Sequence, residues 1–247
     1  MPEYGIVPHC KFGDKIVRAK FDSNVRLVCL SPPNDDVNKA FSFEVSMNGI
    51  DWTSSGLTFS YYEEPILNDV FPDGGDSRGG TEVFFLGQKF TNITDKPQDF
   101  NCKFTPTTIK ADPKVMPATY INSTAVSCKT PGGWSMGDRM QIQLTMNGVD
   151  YDNKGFMFVF YHIASAFPRS GPSNGLGGDI LVSGEGFRAE QVPKCRLNGV
   201  VYEPKEITWN LIKCPMPAHQ AGPEFFGAVD FAVTANGQDW FEFEEGF

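Results

Sequence analysis

Six cysteines carry the clearest chemistry in this chain: Cys10, Cys29, Cys102, Cys128, Cys195 and Cys214. None of them forms a Cys-x-x-Cys pair, so the sequence predicts neither a zinc ribbon nor a thioredoxin-like redox motif. Disulfides among them would imply an oxidising compartment. Buried free thiols in a cytosolic protein are the alternative, and six cysteines allow many pairings in principle.

Two N-glycosylation sequons are present, Asn92-Ile93-Thr94 and Asn122-Ser123-Thr124. Both fall between predicted strands, where a glycan would project into solvent. Sequons also arise by chance in a chain of this size. Because an oxidising compartment would agree with their use, we expect Asn92 and Asn122 to carry glycans.

One segment, residues 133–137, reads Gly-Trp-Ser-Met-Gly and matches the nucleophile motif G-x-S-x-G. A nucleophile elbow needs a strand-to-helix turn on a parallel sheet, followed by an acid and a histidine. Here the motif lies in a Gly/Pro loop between predicted antiparallel strands, and His162 and His219 fall at a module junction and in a loop. No catalytic residue is therefore predicted, and the chain is expected not to be an enzyme.

Metal-ligating residues are scattered. The histidines His9, His162 and His219 lie in different modules without ligand spacing. Pairs of aspartates offer hard oxygen ligands for calcium, but none resembles an EF-hand loop; they are Asp35 with Asp36, Asp73 with Asp76, and Asp150 with Asp152. Solvated turn residues are the simpler interpretation, so no metal or cofactor is predicted and calcium stays an open alternative.

The charge balance restricts the partners. Lys plus Arg is 21 and Asp plus Glu is 30, a net charge of −9. Nucleic-acid binding requires cations that displace phosphate counterions, and an anionic membrane attracts basic segments, so neither partner is expected. No apolar stretch approaches the roughly 20 residues that span a bilayer, and the residues after Met1 do not resemble a signal peptide.

A repeat organises the whole chain. Its landmark occurs as Asn48-Gly49-Ile50-Asp51-Trp52, Asn147-Gly148-Val149-Asp150-Tyr151 and Asn236-Gly237-Gln238-Asp239-Trp240. Each copy follows a stretch of alternating apolar residues, at 41–47, 140–146 and 229–235, which predicts a half-buried antiparallel strand. The Asn-Gly pair then predicts a hairpin turn with positive φ angles.

Each repeat also contains two cysteines upstream of the landmark, the second followed by a proline that ends its strand. This placement selects one pairing of the six: Cys10 with Cys29, Cys102 with Cys128, and Cys195 with Cys214. Loops of that size stabilise a module by roughly 3 kcal/mol when closed.

Two repeats begin with a Gly-rich turn, at 71–80 and 167–178, followed by an alternating strand and Gly-x-x-Phe. The order of Pro, Gly-rich turn, Gly-Gly, strand, cysteine pair and Asn-Gly-x-Asp hairpin resembles the IPT/TIG domain, an immunoglobulin-like fold. The resemblance covers nearly the whole chain, and the cysteine pairs resemble the extracellular branch of that family. It implies an all-β chain of tandem immunoglobulin-like β-sandwiches in a linear array.

The predicted modules are 1–64 with its first strands missing, a complete module at 65–162, and 163–247 with its last strand possibly missing. The stretch 240–243 offers a short substitute for that strand. We expect a window from a longer tandem array, with strands donated by a different partner as the second choice. Linkers are almost absent, which predicts a stiff rod. Six aromatic residues flank the junctions and either stiffen them or complete each module's own core: Tyr61, Tyr62, Phe71, Phe160, Tyr161 and Phe167.

The functional prediction is a structural segment of an extracellular or cell-surface filament, stalk or adhesin. Its expected partners are other copies or neighbouring modules of the same protein, together with glycans. A receptor-type ectodomain that positions a ligand-binding head is the alternative. An enzyme accessory or carbohydrate-binding module rests on fold analogy alone.

Overall fold

The computed structural model describes residues 7–37, 39–92, 100–135, 137–172, 178–216 and 229–243. These residues form strands and turns with one short 3-10 helix at Ala189–Gln191, so the all-β prediction is confirmed. In this part of the chain no helix has the length and apolar character needed to cross a bilayer. The chain forms two compact units, residues 1–64 and residues 65–247.

The first unit contains the first module. Its strands are β1 (His9–Phe12), β2 (Lys15–Arg18), β3 (Lys20–Ser23), β4 (Arg26–Val28), β5 (Ala40–Ser46) and β6 (Thr58–Ser60). The main sheet has the order β2-β1-β5-β6, and β3 and β4 form a separate two-stranded sheet. The alternation of β1 directs Cys10 and Phe12 inward, and the Phe12 ring packs against Phe43 and Phe59 at centroid distances of 5.0 and 4.9 Å.

The second module lies in the second unit. Its strands are β7 (Ile66–Phe71), β8 (Gly74–Asp76), β9 (Glu82–Gln88), β10 (Asn101–Pro106), β11 (Lys114–Asn122), β12 (Ala125–Lys129), β13 (Arg139–Thr145) and β14 (Phe156–Phe167). Hydrogen-bonded order runs β7-β9-β12-β11-β10-β13-β14, with β8 parallel to β14. β11 pairs with β10 through its first half and with β12 through its second half, so it joins the two layers of a sandwich.

The third module begins on the same strand that ends the second. The further strands are β15 (Asp179–Glu185), β16 (Lys194–Leu197), β17 (Val200–Tyr202), β18 (Glu206–Thr208), β19 (Leu211–Pro215), β20 (Phe231–Thr234) and β21 (Trp240–Glu242). One sheet has the order β14-β15-β19-β18 and the other β17-β16-β20-β21. The stretch 240–243 thus supplies a strand, β21, that pairs with β20.

Disulfides connect the cysteines within each repeat. They join Cys10 to Cys29, Cys102 to Cys128, and Cys195 to Cys214, with Cα separations of 6.3, 6.5 and 5.8 Å. In the second module the bond runs from β10 to β12, and in the third from β16 to β19, so each links strands of opposite sheets. Each bond therefore fastens the two layers of a sandwich through its core.

A surface ion pair anchors the start of β15. The Asp179 carboxylate lies 2.6 Å from Lys205 Nζ and 3.6 Å from Lys213 Nζ. The hydrogen bond from Lys205 is the largest cause that lowers the pKa of Asp179, and the positive charges of both lysines add to it. The pair therefore stabilises the third module while Asp179 is ionised.

We expect Asp179→Asn to lower the free energy of unfolding of the third module by about 1 kcal/mol at neutral pH. Because the folded-state pKa is depressed, this stabilisation is present above the ordinary carboxyl pKa and is lost as pH falls through the folded value. Urea unfolding between neutral and acidic pH measures it, with Glu206→Gln on exposed β18 as the charge-matched control. A difference from wild type that persists at the acidic end contradicts this assignment.

Candidate functional site

The junction between the second and third modules is the most elaborate site in the described residues. β14 runs without interruption from Phe156 to Phe167, pairing with β13 on the side of the second module and with β15 on the side of the third. The shared strand leaves no linker, so bending between these modules requires β14 itself to deform.

The landmark turn is built in the same way in all three modules. The asparagine Oδ1 accepts from the backbone N–H groups two and three residues later and from the hydroxyl two residues earlier, and its Nδ2 donates to the aspartate. The asparagines are Asn48, Asn147 and Asn236, the hydroxyls are Ser46, Thr145 and Thr234, and the aspartates are Asp51, Asp150 and Asp239. We name this arrangement the asparagine turn.

The asparagine turn corrects the predicted hairpin geometry. Of each Asn-Gly pair, the glycine alone has a left-handed φ, with values of +75°, +74° and +73° at Gly49, Gly148 and Gly237. The next strand of the first module begins only at Thr58 and that of the second at Phe156. The asparagine side chain replaces the tight two-residue turn, because its amide satisfies backbone groups that a hairpin ladder would otherwise pair.

Only the third copy of this turn contacts another module in the described residues. Asn236 Nδ2 donates to the Gly74 carbonyl at 3.1 Å, and Thr81 Oγ1 donates to Asp239 Oδ2 at 2.6 Å. Gln238 Nε2 donates to the Glu82 carbonyl at 3.0 Å. Three polar side chains of the turn thus bind the Gly-rich opening turn of the second module and the two residues that follow it.

The three copies of the asparagine turn differ in how far the asparagine is buried. Asn236 is 0% exposed, Asn147 is half-buried and Asn48 is exposed. A buried polar group costs free energy unless it is hydrogen-bonded, and Asn236 uses both its oxygen and its nitrogen. The third turn is therefore both a local turn and an intermodule contact, whereas the first two serve only as turns within the described residues.

Glycine permits the close approach at this junction. A Cβ placed on Gly74 would overlap the side-chain amide of Gln191, which is buried in the third module. Beside it, Arg188 Nη2 lies 2.6 Å from Asp73 Oδ2, an ion pair between the modules whose side chains are 26% and 38% exposed. The Gly-rich segment thus gives the third module both space and a charged partner.

A buried tyrosine closes the site on the side of the shared strand. Tyr161 is 1% exposed, and its carbonyl accepts from Ser77 N–H at 2.8 Å. Burial raises the pKa of Tyr161 well above its ordinary value, and the negative charges of Asp239 and Asp76 act in the same direction. The phenol therefore stays neutral at physiological pH.

Arg78 neutralises one of these carboxylates. Its Nε and Nη2 donate to the two oxygens of Asp76 at 2.9 and 2.7 Å, and the guanidinium lies 5.2 Å from the Phe241 ring centroid in the third module. The hydrogen bond to Asp76 is the main cause that raises the pKa of Arg78. The arginine thus bridges an acidic side chain of one module and an aromatic ring of the other.

Of the aspartate pairs considered as an alternative calcium site, the two pairs in the second module are engaged with protein groups. Asp73 and Asp76 bind the arginines already named, Asp150 accepts from Asn147, and Asp152 accepts from the N–H groups of Leu144, Lys154 and Gly155. The described residues contain no group of three or more His, Cys, Asp or Glu side chains arranged around a common point.

The G-x-S-x-G segment serves packing in the described residues. Trp134 is buried and stacks on Phe160, with ring centroids 6.1 Å apart, while Lys114 Nζ lies 4.2 Å from the Trp134 ring. Ser135 N–H donates to Asp138 Oδ2 at 2.8 Å. Met136 and His219 lie outside the described residues, and His162 belongs to the shared strand β14.

The remaining predicted sites are distributed over the modules. Asn122 ends β11 and is exposed, and its Oδ1 accepts from Thr124 N and Oγ1 at 2.8 and 2.7 Å. Asn92 is exposed, but the other two residues of its sequon lie outside the described part of the chain. Among the junction aromatics, Phe160 and Tyr161 are buried, whereas Phe71 and Phe167 are 51% and 71% exposed.

Comparison with known proteins identifies the class. The family model described as the IPT/TIG domain matches residues 65–158 and 162–242, so the chain belongs to the IPT/TIG family and the resemblance seen in the sequence is confirmed. IPT/TIG domains are immunoglobulin-like modules that are generally non-catalytic. Tandem modules with a disulfide each fit a non-enzymatic repeat in an extracellular or cell-surface setting.

Solved structures with a similar chain path share 12% sequence identity with this chain. Two are of the extracellular region of plexin A4, one with domains 1 to 10 at a TM-score of 0.44 and one with domains 1 to 8 at 0.40. Each covers 100% of this chain, which spans only 26% and 31% of those chains. The third is the Bacteroides ovatus mixed-linkage glucan utilization locus SGBP-B in complex with a mixed-linkage heptasaccharide, at a TM-score of 0.29, covering 97% of this chain and 57% of that one. A search of curated proteins gave no match.

Proposed function

We propose that this chain is a structural repeat segment of an extracellular filament, stalk or surface adhesin. The observation that carries the proposal is the junction between the second and third modules, where a continuous strand and side-chain contacts hold two sandwiches together. A segment that transmits position or force needs such a junction, whereas a flexible binding module does not.

The proposed function also assigns roles to the disulfides and to the two glycan sites. Each module has a bond between its two sheets, which resists separation of the layers outside the cell. Exposed Asn122 and Asn92 are the proposed glycan sites, and other copies or neighbouring modules of the same protein are the proposed partners.

Negative-stain electron microscopy of material isolated from its native source tests the assembly. We expect long regular filaments with a repeat set by the module length. Dispersed short rods that each carry a globular head would contradict the filament and favour a receptor-type ectodomain.

Peptide mapping with and without glycosidase tests the modification. We expect the peptide containing Asn122 to lose mass as glycan is removed and the asparagine to become aspartate. An unmodified Asn122 peptide from native material would remove the glycan from the proposal. The half-buried Asn147, which lacks a sequon, provides the unmodified reference peptide.

A further inference from the structure

The outer face of one sheet in the second module is partly apolar. Phe71 at the end of β7 and Leu86 on β9 are 51% and 39% exposed. The half-buried Phe84 pairs with Phe71 and lies two residues from Leu86 on the same face of β9. The alternate residues of β9 fill the core, since Val83 and Phe85 are 0% exposed. Phe71, Phe84 and Leu86, which we name the apolar strip, therefore add little to the core of their own module.

The sequon asparagine Asn122 lies in the same row of the sheet as part of this strip. Asn122 on β11 pairs with Ala125 on β12, and Ala125 pairs with Leu86 on β9. Side chains that are paired across antiparallel strands project from the same face. Because neighbouring strands lie about 4.8 Å apart, the apolar strip begins about 10 Å from the asparagine.

The Asn122 amide is arranged so that its nitrogen stays accessible. Its Oδ1 accepts from Thr124 N at 2.8 Å and from Thr124 Oγ1 at 2.7 Å, both within the turn that joins β11 to β12. Among the described residues, Nδ2 donates to no protein group, and the whole residue is exposed. Nδ2 is the atom that carries an N-linked sugar, so the turn fixes the oxygen and leaves the attachment atom to solvent.

The third module differs at the equivalent places. The same backbone bond between strand and turn aligns the two modules. Ser183 takes the place of Leu86, and Leu211 takes the place of Ala125. The turn residue there, Asn210, belongs to no sequon. Of these two modules, only the one with a sequon has a small side chain next to the turn and an apolar one behind it.

We propose that the apolar strip is the docking surface of the N-glycan on Asn122, whose innermost N-acetylglucosamine units lie over Ala125 and Leu86. A pyranose ring has an apolar C–H face that packs on aliphatic and aromatic side chains, while its hydroxyl groups stay in water. The small side chain of Ala125 leaves room for the first sugar, and Leu86 and Phe84 then contact the second. The inference rests on the proposed glycosylation of Asn122.

A covalently attached occupant suits this surface better than a separate protein does. The strip is narrow and open, so contacts with it are weak. A tethered sugar has an effective concentration of the order of mM at a site within its reach, and weak contacts then suffice to hold it. Once bound, the glycan would cover apolar side chains that otherwise face water.

A thermal cycle tests the contact. The whole 247-residue chain with Asn92→Gln is produced in a eukaryotic secretory host, so that Asn122 alone carries a glycan, and half of it is treated with peptide N-glycosidase. We expect removal of the glycan to lower the Tm of the second module by about 3 °C, and by less than about 1 °C when Leu86→Ser is present. The enzyme converts asparagine to aspartate in both backgrounds, so this change cancels in the comparison.

Leu181→Ser in the third module is the matched control. Leu181 is 36% exposed on the outer face of β15, so its substitution removes a similar apolar side chain far from the sequon. We expect the full difference of about 3 °C between the glycosylated and treated forms to remain. As a direct readout, nuclear Overhauser contacts should join the Leu86 methyl groups to ring protons of the inner sugars.

The possible failures are distinguishable. An unmodified Asn122 peptide from native material would overturn both the proposed glycan and its docking. An occupied Asn122 with the same Tm difference with and without Leu86→Ser, or without contacts between Leu86 and the sugar, would overturn the docking alone. Loss of the difference in Leu181→Ser would also overturn it, because the effect would then not arise at the apolar strip.

Discussion

Replacing both Cys102 and Cys128 with alanine is expected to lower the free energy of unfolding of the second module by about 3 kcal/mol. The bond closes a loop with a sequence separation of 26 and links β10 to β12 across the sandwich. Without it, the unfolded chain regains the freedom that the closed loop removes. Both cysteines are buried, at 0% and 4% exposure, so the smaller alanines add a packing loss.

Guanidinium unfolding followed by hydrogen exchange at β10 and β12 measures this effect module by module. The control is the double substitution Cys195→Ala and Cys214→Ala, whose loss should appear in the third module and leave exchange in β10 unchanged. An unchanged unfolding midpoint, or rapid alkylation of all six cysteines in the native protein, would show that the bonds do not form and would remove the argument for an extracellular setting.

The second large effect that we expect is that Asn236→Ala lowers the free energy of unfolding of the third module by about 3 kcal/mol. The substitution removes the bonds that form the asparagine turn and also the donor to the Gly74 carbonyl in the neighbouring module. It frees Asp239 from one of its two donors, leaving Thr81 as the other. We therefore expect the orientation of the third module relative to the second to become variable, in addition to the loss of stability.

Asn147→Ala is the matched control for this prediction. Asn147 makes the same internal bonds to Thr145, Val149 and Asp150, but it makes no contact with another module in the described residues. We expect a loss of about 1 kcal/mol from Asn147→Ala. The additional loss of unfolding free energy in Asn236→Ala, compared with Asn147→Ala, measures how much the contact with the second module contributes.

Residual dipolar couplings of the second and third modules provide the structural readout. In the unmodified chain one alignment tensor should fit both modules, and in Asn236→Ala two tensors should be needed. Equal stability losses for the two asparagine variants, with one tensor throughout, would show that the turn does not hold the junction.

The sequence predicted the strands that carry a strong local pattern. Alternation at 41–47 and 140–146 appears as β5 (Ala40–Ser46) and β13 (Arg139–Thr145), each displaced by one residue. This success has a simple reason, because a period of two with one apolar face depends only on neighbouring residues. The Gly-Trp-Ser-Met-Gly match at 133–137 shows the limit of local patterns, because a short motif can occur without the strand-to-helix turn that a nucleophile elbow needs.

The site at the junction was only partly visible in the sequence. The repeated Asn-Gly-x-Asp motif identified Asn236 and Asp239, but it gave no reason to distinguish them from Asn48 and Asn147. Thr81 and Arg188 carried no signal, because they act through partners more than a hundred residues away. Tyr161 was one of the six predicted junction aromatics, but the sequence left open whether it stiffens the junction or completes the core of its own module. A glycine pair at 74–75 was the remaining local hint.

By itself, the sequence determined the repeat, the all-β character, the family and the single cysteine pairing that the repeat selects. These properties follow from local periodicity and from the order of short motifs along the chain. Only the tertiary structure decided that one copy of the asparagine turn docks on a neighbouring module and that one strand serves two sandwiches. Docking depends on which distant residues meet in space, and identical local motifs differ in those surroundings.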